Sequence, residues 1–141
     1  MGRKVTMDYD AVGNLLEKVY PNGAKVSFGY DAKYRVTSIT DTNGAITRYE
    51  YNDLDQNTAI IDALGNKTKF DYNKNGLMSA MTDPKGNTYS YEYDLGGNCT
   101  KIIMPDGSSI TSEYDARGRN IKQTDQNGYV TSFTYDGVDR L

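Results

Sequence analysis

Hydrophobic and polar residues alternate along short stretches of this chain, and a period of two is typical of a β-strand with one face toward water. Tyr89, Tyr91 and Tyr93 fall on one side of such a stretch, whereas Ser90 and Glu92 fall on the other. The stretches with the same alternation are Val26, Phe28 and Tyr30, then Thr47, Tyr49 and Tyr51, and then Thr68, Phe70 and Tyr72. The pattern predicts strands with an aromatic face and a charged face.

A second kind of stretch is apolar but less regular. Val36 is followed by Ile39 and Met78 by Met81, so these apolar residues are separated by three positions instead of two. An extra residue in a strand shifts the alternation in this way. We therefore predict a β-bulge in this second kind of strand.

The two kinds of strand recur with a period of 21 residues, which decides the architecture before any single residue does. A tyrosine followed by Asp or Asn returns at every period, and so does a glycine. The tyrosines are Tyr9, Tyr30, Tyr51, Tyr72, Tyr93, Tyr114 and Tyr135, and the glycines are Gly2, Gly23, Gly44, Gly65, Gly86, Gly107 and Gly128. Neither series contains an insertion or a deletion, so we interpret both as structural repeat residues.

Each tyrosine leads into a first turn. Asp115 stands first and Gly118 fourth in one copy, which favours a type I turn followed by a residue with positive φ. In three copies the glycine is replaced, by Tyr34, Asp55 and Asp139. Because Asp tolerates a positive φ better than Tyr does, Tyr34 fits the pattern least well.

The glycine series marks a second turn at the opposite end of the hairpin. Asp83 stands first, Pro84 second and Gly86 fourth in one copy. Proline favours the φ that the second position of such a turn needs, and all three prolines of the chain occupy this slot. The repeat is therefore predicted to be a β-hairpin.

We predict an all-β fold in which tandem hairpins form a curved antiparallel sheet. Residues 1–141 would make a single array of about six and a half repeats, and a sheet of about twelve strands tends to curl. Both chain ends fall within a repeat and no atypical capping repeat is seen, so we expect an excised segment of a longer array. Its open edge strands and its aromatic face favour self-association.

The composition argues against two classes of partner, nucleic acids and membranes. The net charge is −3, and no stretch of about 18 apolar residues is present. Because an acidic chain offers no attractive field to nucleic acid or anionic lipid, we expect neither nucleic acid binding nor membrane insertion. The single cysteine, Cys99, falls at an aliphatic position of the repeat and is interpreted as a small buried hydrophobic residue.

The residue types argue against catalysis. The chain has no histidine, which excludes a Ser-His-Asp triad, a Cys-His dyad and a histidine-containing metal site. Paired carboxylates and calcium in the Asp-rich turns are alternatives, although no EF-hand spacing is present. The acids Glu50, Asp71, Glu92 and Glu113 recur at one repeat position. Such recurrence indicates a solvated charged face, and we predict no catalytic, cofactor-binding or metal-binding residue.

Carbohydrate binding or cell adhesion is the main alternative to a structural role. Exposed tyrosines beside amides and acids can stack on sugars and hydrogen bond to their hydroxyls. The candidate glycan contacts are Tyr49, Tyr51, Tyr91 and Tyr93. We favour the interpretation that these rings line the packed or cavity-facing side of the sheet.

The repeat unit resembles the motif of the Rhs or YD-repeat family, Tyr-Asp-x-x-Gly-Arg-Leu followed by Thr-Asp-Pro-x-Gly. The matching segments are Tyr114 to Arg119, Tyr9 to Leu15 and Thr82 to Gly86. The departures are Tyr34, Asp55, Asn57 and Asn120. The resemblance extends over essentially the whole chain.

This resemblance implies a strip of β-hairpins that spirals into a hollow shell. In bacterial members of the family the shell encloses a variable C-terminal toxin, and in teneurins a similar shell belongs to a cell-adhesion receptor. The implied role of this chain is a non-catalytic segment of the wall in a secreted or cell-surface parent protein. Its partners would be the neighbouring repeats and the enclosed effector domain, and no cofactor is implied.

Overall fold

The computed structural model describes residues 4–137 and residue 140, and these form thirteen β-strands joined by turns. Two residues of the predicted turn series, Gly2 and Asp139, lie outside the described residues. The strands are β1 (Thr6–Tyr9), β2 (Leu15–Val19), β3 (Lys25–Tyr30), β4 (Val36–Thr40), β5 (Ile46–Tyr51), β6 (Asn57–Ile61), β7 (Lys67–Tyr72), β8 (Met78–Thr82), β9 (Thr88–Tyr93), β10 (Cys99–Ile103), β11 (Ser109–Tyr114), β12 (Asn120–Thr124) and β13 (Val130–Ser132).

The strand order in the sheet follows the order in the chain, from β1 to β13. Adjacent antiparallel strands need only a short turn between them, which is why a periodic sequence of strands and turns gives this order. The chain divides into two compact units, Met1–Lys69 and Phe70–Leu141, and the division falls inside β7. The predicted all-β fold of tandem hairpins is confirmed.

In the first unit, cross-strand pairing puts aromatic side chains and several aliphatic ones on one face, whereas Val19 and Ile61 lie on the opposite face. Phe28 of β3 lies opposite Ile39 of β4, and Tyr49 of β5 lies opposite Ile60 of β6. The aromatic face of this unit comprises Val26, Phe28, Ile39, Thr47, Tyr49, Ile60 and Thr68, and Lys18 of β2 also lies on it, opposite Val26. The charged residues of the opposite face are Glu17, Lys25, Arg48, Glu50, Lys67 and Lys69.

The second unit repeats this division between faces. Met81 of β8 lies opposite Tyr89 of β9, and Ile102 of β10 lies opposite Tyr91 on one side and Ile110 on the other. These residues, together with Ser112, form the aromatic face of the unit. The charged face comprises Glu92, Lys101, Glu113 and Lys122. The alternation predicted from the sequence is confirmed in both units.

A β-bulge recurs where each tyrosine-ending strand pairs with the strand that follows it. Asp8 lies opposite Glu17 but Tyr9 lies opposite Leu15, so Leu16 is the extra residue in β2. The same register shift occurs at Tyr30 and Tyr51 in the first unit and at Tyr93 and Tyr114 in the second. The predicted bulge is confirmed, and it lies in the less regular strand of each repeat.

Ala59 of β6 is the one fully buried hydrophobic residue among those described, with 1% of its surface exposed. Its cover comes from charged side chains. Lys67 of β7 reaches across β6 to Glu50 of β5, with Nζ 2.8 Å from both carboxylate oxygens. Ala59 pairs across the sheet with Glu50 and with Lys69, so the ion pair spans its methyl group. The other strand residues are half-buried or exposed, because a single sheet layer cannot enclose a core.

The two described turns that lack glycine keep the geometry of the others. Tyr34 has φ 63° and Asp55 has φ 62°. Tyr34 N–H donates to the Asp31 carbonyl over 3.0 Å, as Gly118 N–H donates to the Asp115 carbonyl over 2.9 Å. The hydrogen bonds of the hairpin turn therefore hold Tyr34 in a conformation that costs an L-residue about 1–2 kcal/mol.

Replacing Tyr34 with glycine is expected to raise the free energy of unfolding by about 1 kcal/mol, because glycine adopts a positive φ without steric cost. The tyrosine is 60% exposed, so little packing is lost with it. Ala32→Gly is the matched control in the same turn, at a position without positive φ, and should cost up to about 1 kcal/mol. Urea denaturation measures both changes, and a destabilised Tyr34→Gly variant would show that the strain is absent.

Candidate functional site

The hydroxyl of the repeated tyrosine donates a hydrogen bond to the backbone carbonyl of the residue 15 positions earlier. In the first unit, Tyr30 Oη lies 2.9 Å from the Leu15 oxygen and Tyr51 Oη lies 2.8 Å from the Val36 oxygen. In the second unit, Tyr93 donates to Met78 over 2.7 Å, Tyr114 to Cys99 over 2.9 Å and Tyr135 to Asn120 over 2.8 Å. We call this hydrogen bond the tyrosine clasp.

The clasp lies at the end of the hairpin where the regular ladder stops. Strands β2 and β3 pair from Val19 opposite Lys25 to Glu17 opposite Ser27. Leu15, whose carbonyl accepts from the Tyr30 hydroxyl, lies beyond this ladder and next to the bulge. A bulge disrupts the ladder and leaves a residue unpaired. The hydroxyl therefore supplies a hydrogen bond where the backbone pairing is weakest.

The remaining tyrosines of the series lie at the same strand position. Tyr9 ends β1, is 52% exposed and has Oη 3.2 Å from Met7 Sδ, because no described strand precedes β1. Tyr72 is half-buried at the end of β7. Burial raises the pKa of the Tyr93 phenol above its ordinary value, with smaller contributions from Cys99 and Tyr91. The Tyr93 phenol therefore stays protonated and donates its hydrogen bond at neutral pH.

The aspartate that follows the tyrosine organises the first turn. Asp115 Oδ1 accepts hydrogen bonds from the backbone N–H groups of Arg117 and Arg119, over 2.9 and 3.0 Å. Its Oδ2 accepts from Arg119 Nε over 2.7 Å. The same carboxylate or amide pattern is seen at Asp10, Asp31, Asn52, Asn73 and Asp94. Asp and Asn suit this position because their short side chains reach the backbone two and four residues ahead.

An arginine links this turn to the tyrosine of the next hairpin. The Arg35 guanidinium lies 4.7 Å from the centre of the Tyr51 ring, and that of Arg119 lies 4.8 Å from the centre of the Tyr135 ring. Both arginines are held by the turn aspartate four residues earlier. A cation–π contact of this kind contributes about 0.5–1 kcal/mol at an exposed site. Sequence reasoning missed the arginines, although the spacing Asp-x-x-x-Arg could have identified them.

Two neighbouring first turns of the first unit are joined by a cluster of charges. Arg35 Nη1 donates to Asp55 Oδ1 over 2.7 Å and to the Asn52 carbonyl over 2.8 Å. Lys33 Nζ adds hydrogen bonds to Asp55 Oδ1 and to the Asp53 carbonyl. Asp55 occupies the fourth position of its turn, where the positive φ favours glycine. Its carboxylate accepts hydrogen bonds from Arg35 and Lys33 of the neighbouring turn. The cluster explains why an L-residue at φ 62° is tolerated here.

Hydrogen bonds from the turn lower the pKa of the first-turn aspartates below the ordinary carboxylate value. The largest cause is the Asn14 side chain at Asp10, the Arg35 backbone at Asp31, the Asn98 side chain at Asp94 and the Arg119 side chain at Asp115. Among the second turns, Asn66 lowers the pKa of Asp62 and Asn87 that of Asp83. Each of these groups favours the folded chain in its ionised form.

Stability is expected to fall as the pH drops below about 4, the ordinary range for aspartate. A group with a lowered folded pKa stabilises the fold above its unfolded pKa, and this contribution disappears as the pH falls through the folded value. Thermal unfolding followed by circular dichroism between pH 7 and 2 measures the effect, at constant ionic strength. Asp115→Asn, which keeps an acceptor but cannot titrate, should flatten the profile. A stability independent of pH down to 2 would contradict this account.

The glycine series occupies the fourth position of the second turns, as the sequence predicted. Their φ angles lie between +82° and +88°, and a Cβ placed on any of them would meet no atom within 4 Å. Glycine is therefore required by the positive φ of the backbone and not by a lack of space for a side chain. The residues are Gly23, Gly44, Gly65, Gly86, Gly107 and Gly128.

The four glycan candidates lie on two strands in different units. Tyr49 and Tyr51 lie on β5 and Tyr91 and Tyr93 on β9, and all four are half-buried. Tyr51 and Tyr93 donate their hydroxyls in the clasp, and Arg35 covers the Tyr51 ring. Sugar binding by these rings stays a prediction: a glycan array would test it, with binding lost in Tyr91→Ala.

The recurring acids of the charged face pair with lysines. Glu50 contacts Lys67 at 2.8 Å, Glu113 contacts Lys122 at 2.7 Å and Glu92 contacts Lys101 at 4.0 Å. Asp71 is exposed. Within the described ranges, no group of three or more His, Cys, Asp or Glu residues is placed to hold a metal ion. The described residues also include no helix with the length and apolar character to span a membrane.

An open groove of about 660 Å³ lies between two second turns of the first unit. It is lined by Tyr20, Pro21, Asn22, Ala24 and Thr42. The Lys18 ammonium lies 4.9 Å from the centre of the Tyr20 ring. None of the sequence-predicted glycan contacts lines this groove.

Comparison with protein families gives matches along most of the chain. The family model described as RHS Repeat matches residues 9–46, 35–67, 51–88, 72–109 and 114–141. No curated protein sequence matches the chain.

Solved structures share the fold at low sequence identity. A crystal structure of TcdB2-TccC3-Cdc42 matches with 18% identity and a TM-score of 0.73, over 87% of this chain and 7% of that one. The Photorhabdus luminescens Tc holotoxin pore matches with 18% identity and a TM-score of 0.74, over 94% of this chain and 8% of that one. TcdB2-TccC3 without its hypervariable C-terminal region matches with 17% identity and a TM-score of 0.75, over 95% of this chain and 8% of that one. The chain therefore corresponds to a small part of each of these chains.

Proposed function

The chain belongs to the RHS repeat family, and we propose that it forms a structural segment of the wall of a larger shell. The wall would be built by the strip of hairpins itself, with each hairpin paired to the next through its edge strands. The role is non-catalytic: the hydroxyls of the clasp and the carboxylates of the turns are used to hold hairpins together.

The single-layer sheet is the observation that supports this proposal most directly. Within each unit one side is aromatic and the other is charged, and Ala59 is the only described hydrophobic residue that is fully buried. A globular domain would cover its apolar face with a second layer. A wall instead separates two compartments, so it has two accessible faces of different chemistry.

The similar structures suggest what such a wall encloses. Two of them are TcdB2-TccC3 assemblies, one of which lacks a hypervariable C-terminal region, and the third is a Tc holotoxin pore. We propose by analogy that the parent of this chain is an extracellular protein whose shell encloses a C-terminal effector domain. The neighbouring repeats of the parent and this effector would then be the partners of the chain.

Limited proteolysis of the full-length parent tests the proposal. Deleting residues 73–93 removes one complete repeat and joins Tyr72 to Asp94, so the register of the strip is kept. Deleting residues 73–82 removes one first turn and the bulged strand β8, so two tyrosine-ending strands, β7 and β9, become neighbours and the repeat pattern is broken. The downstream domain should resist protease in the parent and in the whole-repeat deletion, and should be cleaved in the half-repeat deletion. Equal cleavage of all three proteins would overturn the shell role.

A further inference from the structure

The chain exposes more surface than a compact protein of its mass. Its accessible surface is 9760 Å² at a mass of 15.7 kDa. A compact monomer of this mass exposes about 7,300 Å². The excess of about 2,500 Å² is larger than the roughly 800 Å² that each partner buries in a protein interface of standard size. The isolated chain therefore has enough uncovered surface for a stable interface.

The aromatic face is the part of this surface with the chemistry of an interface core. From β3 to β6 in the first unit, the residues assigned to it are aromatic, aliphatic or threonine, and none is ionised. From β8 to β11 in the second unit, Met81, Tyr89, Tyr91, Ile102 and Ile110 continue the same composition. Interface cores are depleted in charge and enriched in tyrosine, phenylalanine and methionine.

The other surfaces of the sheet are less suited to association. The charged face carries lysine–glutamate pairs that would have to be desolvated, which costs more than their attraction returns. The edge strands are short, with four residues in β1 and three in β13, so an added strand would gain few hydrogen bonds.

We infer that the isolated chain forms a dimer in which the aromatic faces of two copies pack against each other. Lys18 lies on this face at β2, opposite Val26, whereas the stretches from β3 to β6 and from β8 to β11 carry no ionised residue. A two-fold contact through these neutral stretches brings no like charges together and closes without further growth. The pair then has the two-layer arrangement that β-sheets need to bury an apolar side. This inference concerns the chain by itself and does not depend on the shell role.

Sedimentation velocity over a range of protein concentrations tests the dimer. The wild-type chain should sediment as a dimer at high concentration and dissociate on dilution. Tyr91→Lys puts a charge in the middle of the aromatic face and leaves every observed clasp intact. The dissociation constant of the dimer should rise at least tenfold, as is typical when a central interface residue is lost. Ser90→Lys adds the same charge one residue away, on the charged face, and should dimerise like the wild type.

Three outcomes would overturn the inference: a wild-type chain that stays monomeric at every concentration, a Tyr91→Lys variant that dimerises normally, or equal loss of the dimer in both lysine variants. Normal dimerisation of Tyr91→Lys would indicate pairing through the strand edges. Far-ultraviolet circular dichroism checks that each variant is folded, and Tyr89→Lys on the same face replaces Tyr91→Lys if the latter does not fold.

Discussion

Replacing Tyr51 with alanine is expected to lower the free energy of unfolding by about 3 kcal/mol. The substitution removes a half-buried ring, the hydrogen bond from its hydroxyl to the Val36 carbonyl and the surface on which the Arg35 guanidinium lies. The Val36 carbonyl, next to the bulge of β4, also loses the hydrogen bond that it accepts from this hydroxyl. Chemical denaturation followed by far-ultraviolet circular dichroism measures the loss.

Two controls separate the clasp from simple loss of apolar contact. Tyr51→Phe keeps the ring and removes only the hydroxyl, and should cost about 1 kcal/mol, as expected for one hydrogen bond. Tyr129→Ala removes a tyrosine that is 74% exposed and lies outside the series, and should change stability by less than about 0.5 kcal/mol. If Tyr51→Phe were as stable as the wild type, the clasp would have no energetic role.

Enlarging Ala59 to leucine is expected to destabilise the chain by about 1–3 kcal/mol, because the added carbons have no space. The alanine is 1% exposed and lies beneath the ion pair between Lys67 and Glu50. A leucine would displace that pair or push the three strands apart.

The equivalent position of the next repeat provides a matched control. Ala80 lies one period after Ala59. In this repeat Asp71 takes the position of Glu50 and Thr88 takes the position of Lys67, so the lysine of the ion pair is missing. Leucine at Ala80 therefore has no bridge to displace and should be tolerated within about 0.5 kcal/mol. Thermal unfolding of the two variants gives the comparison. Equal destabilisation of both would mean that the ion pair does not restrict the space above Ala59.

Much of the fold could be predicted from the sequence because the signals are local. The alternation of Tyr89, Ser90 and Tyr91 assigns faces within a strand, and the Asp-to-Gly spacing assigns a turn within four residues. The three-residue spacing of Val36 and Ile39 indicated the bulge in β4. Each of these features depends on the chemistry of a few neighbouring residues, which repetition then reinforces.

The parts of the site that could not be predicted depend on distances between strands. The Tyr51 hydroxyl reaches the carbonyl of Val36, 15 residues earlier, which lies next to the bulge of β4. The cover over Ala59 depends on two side chains that meet across an intervening strand. The conformation of Tyr34 is imposed by the turn hydrogen bonds against its own preference. Sequence spacing alone carries no signal for these long-range contacts.

Native-state hydrogen exchange, followed residue by residue by nuclear magnetic resonance, tests the central claim most directly. If the hairpins pair edge to edge through the clasped strands, protected strand amides should recur with a period of 21 residues. The turn amides of Asp115 and Gly118, which donate to backbone carbonyls, should be protected with them. Protection without this period, or its absence from the strands, would contradict the hairpin array.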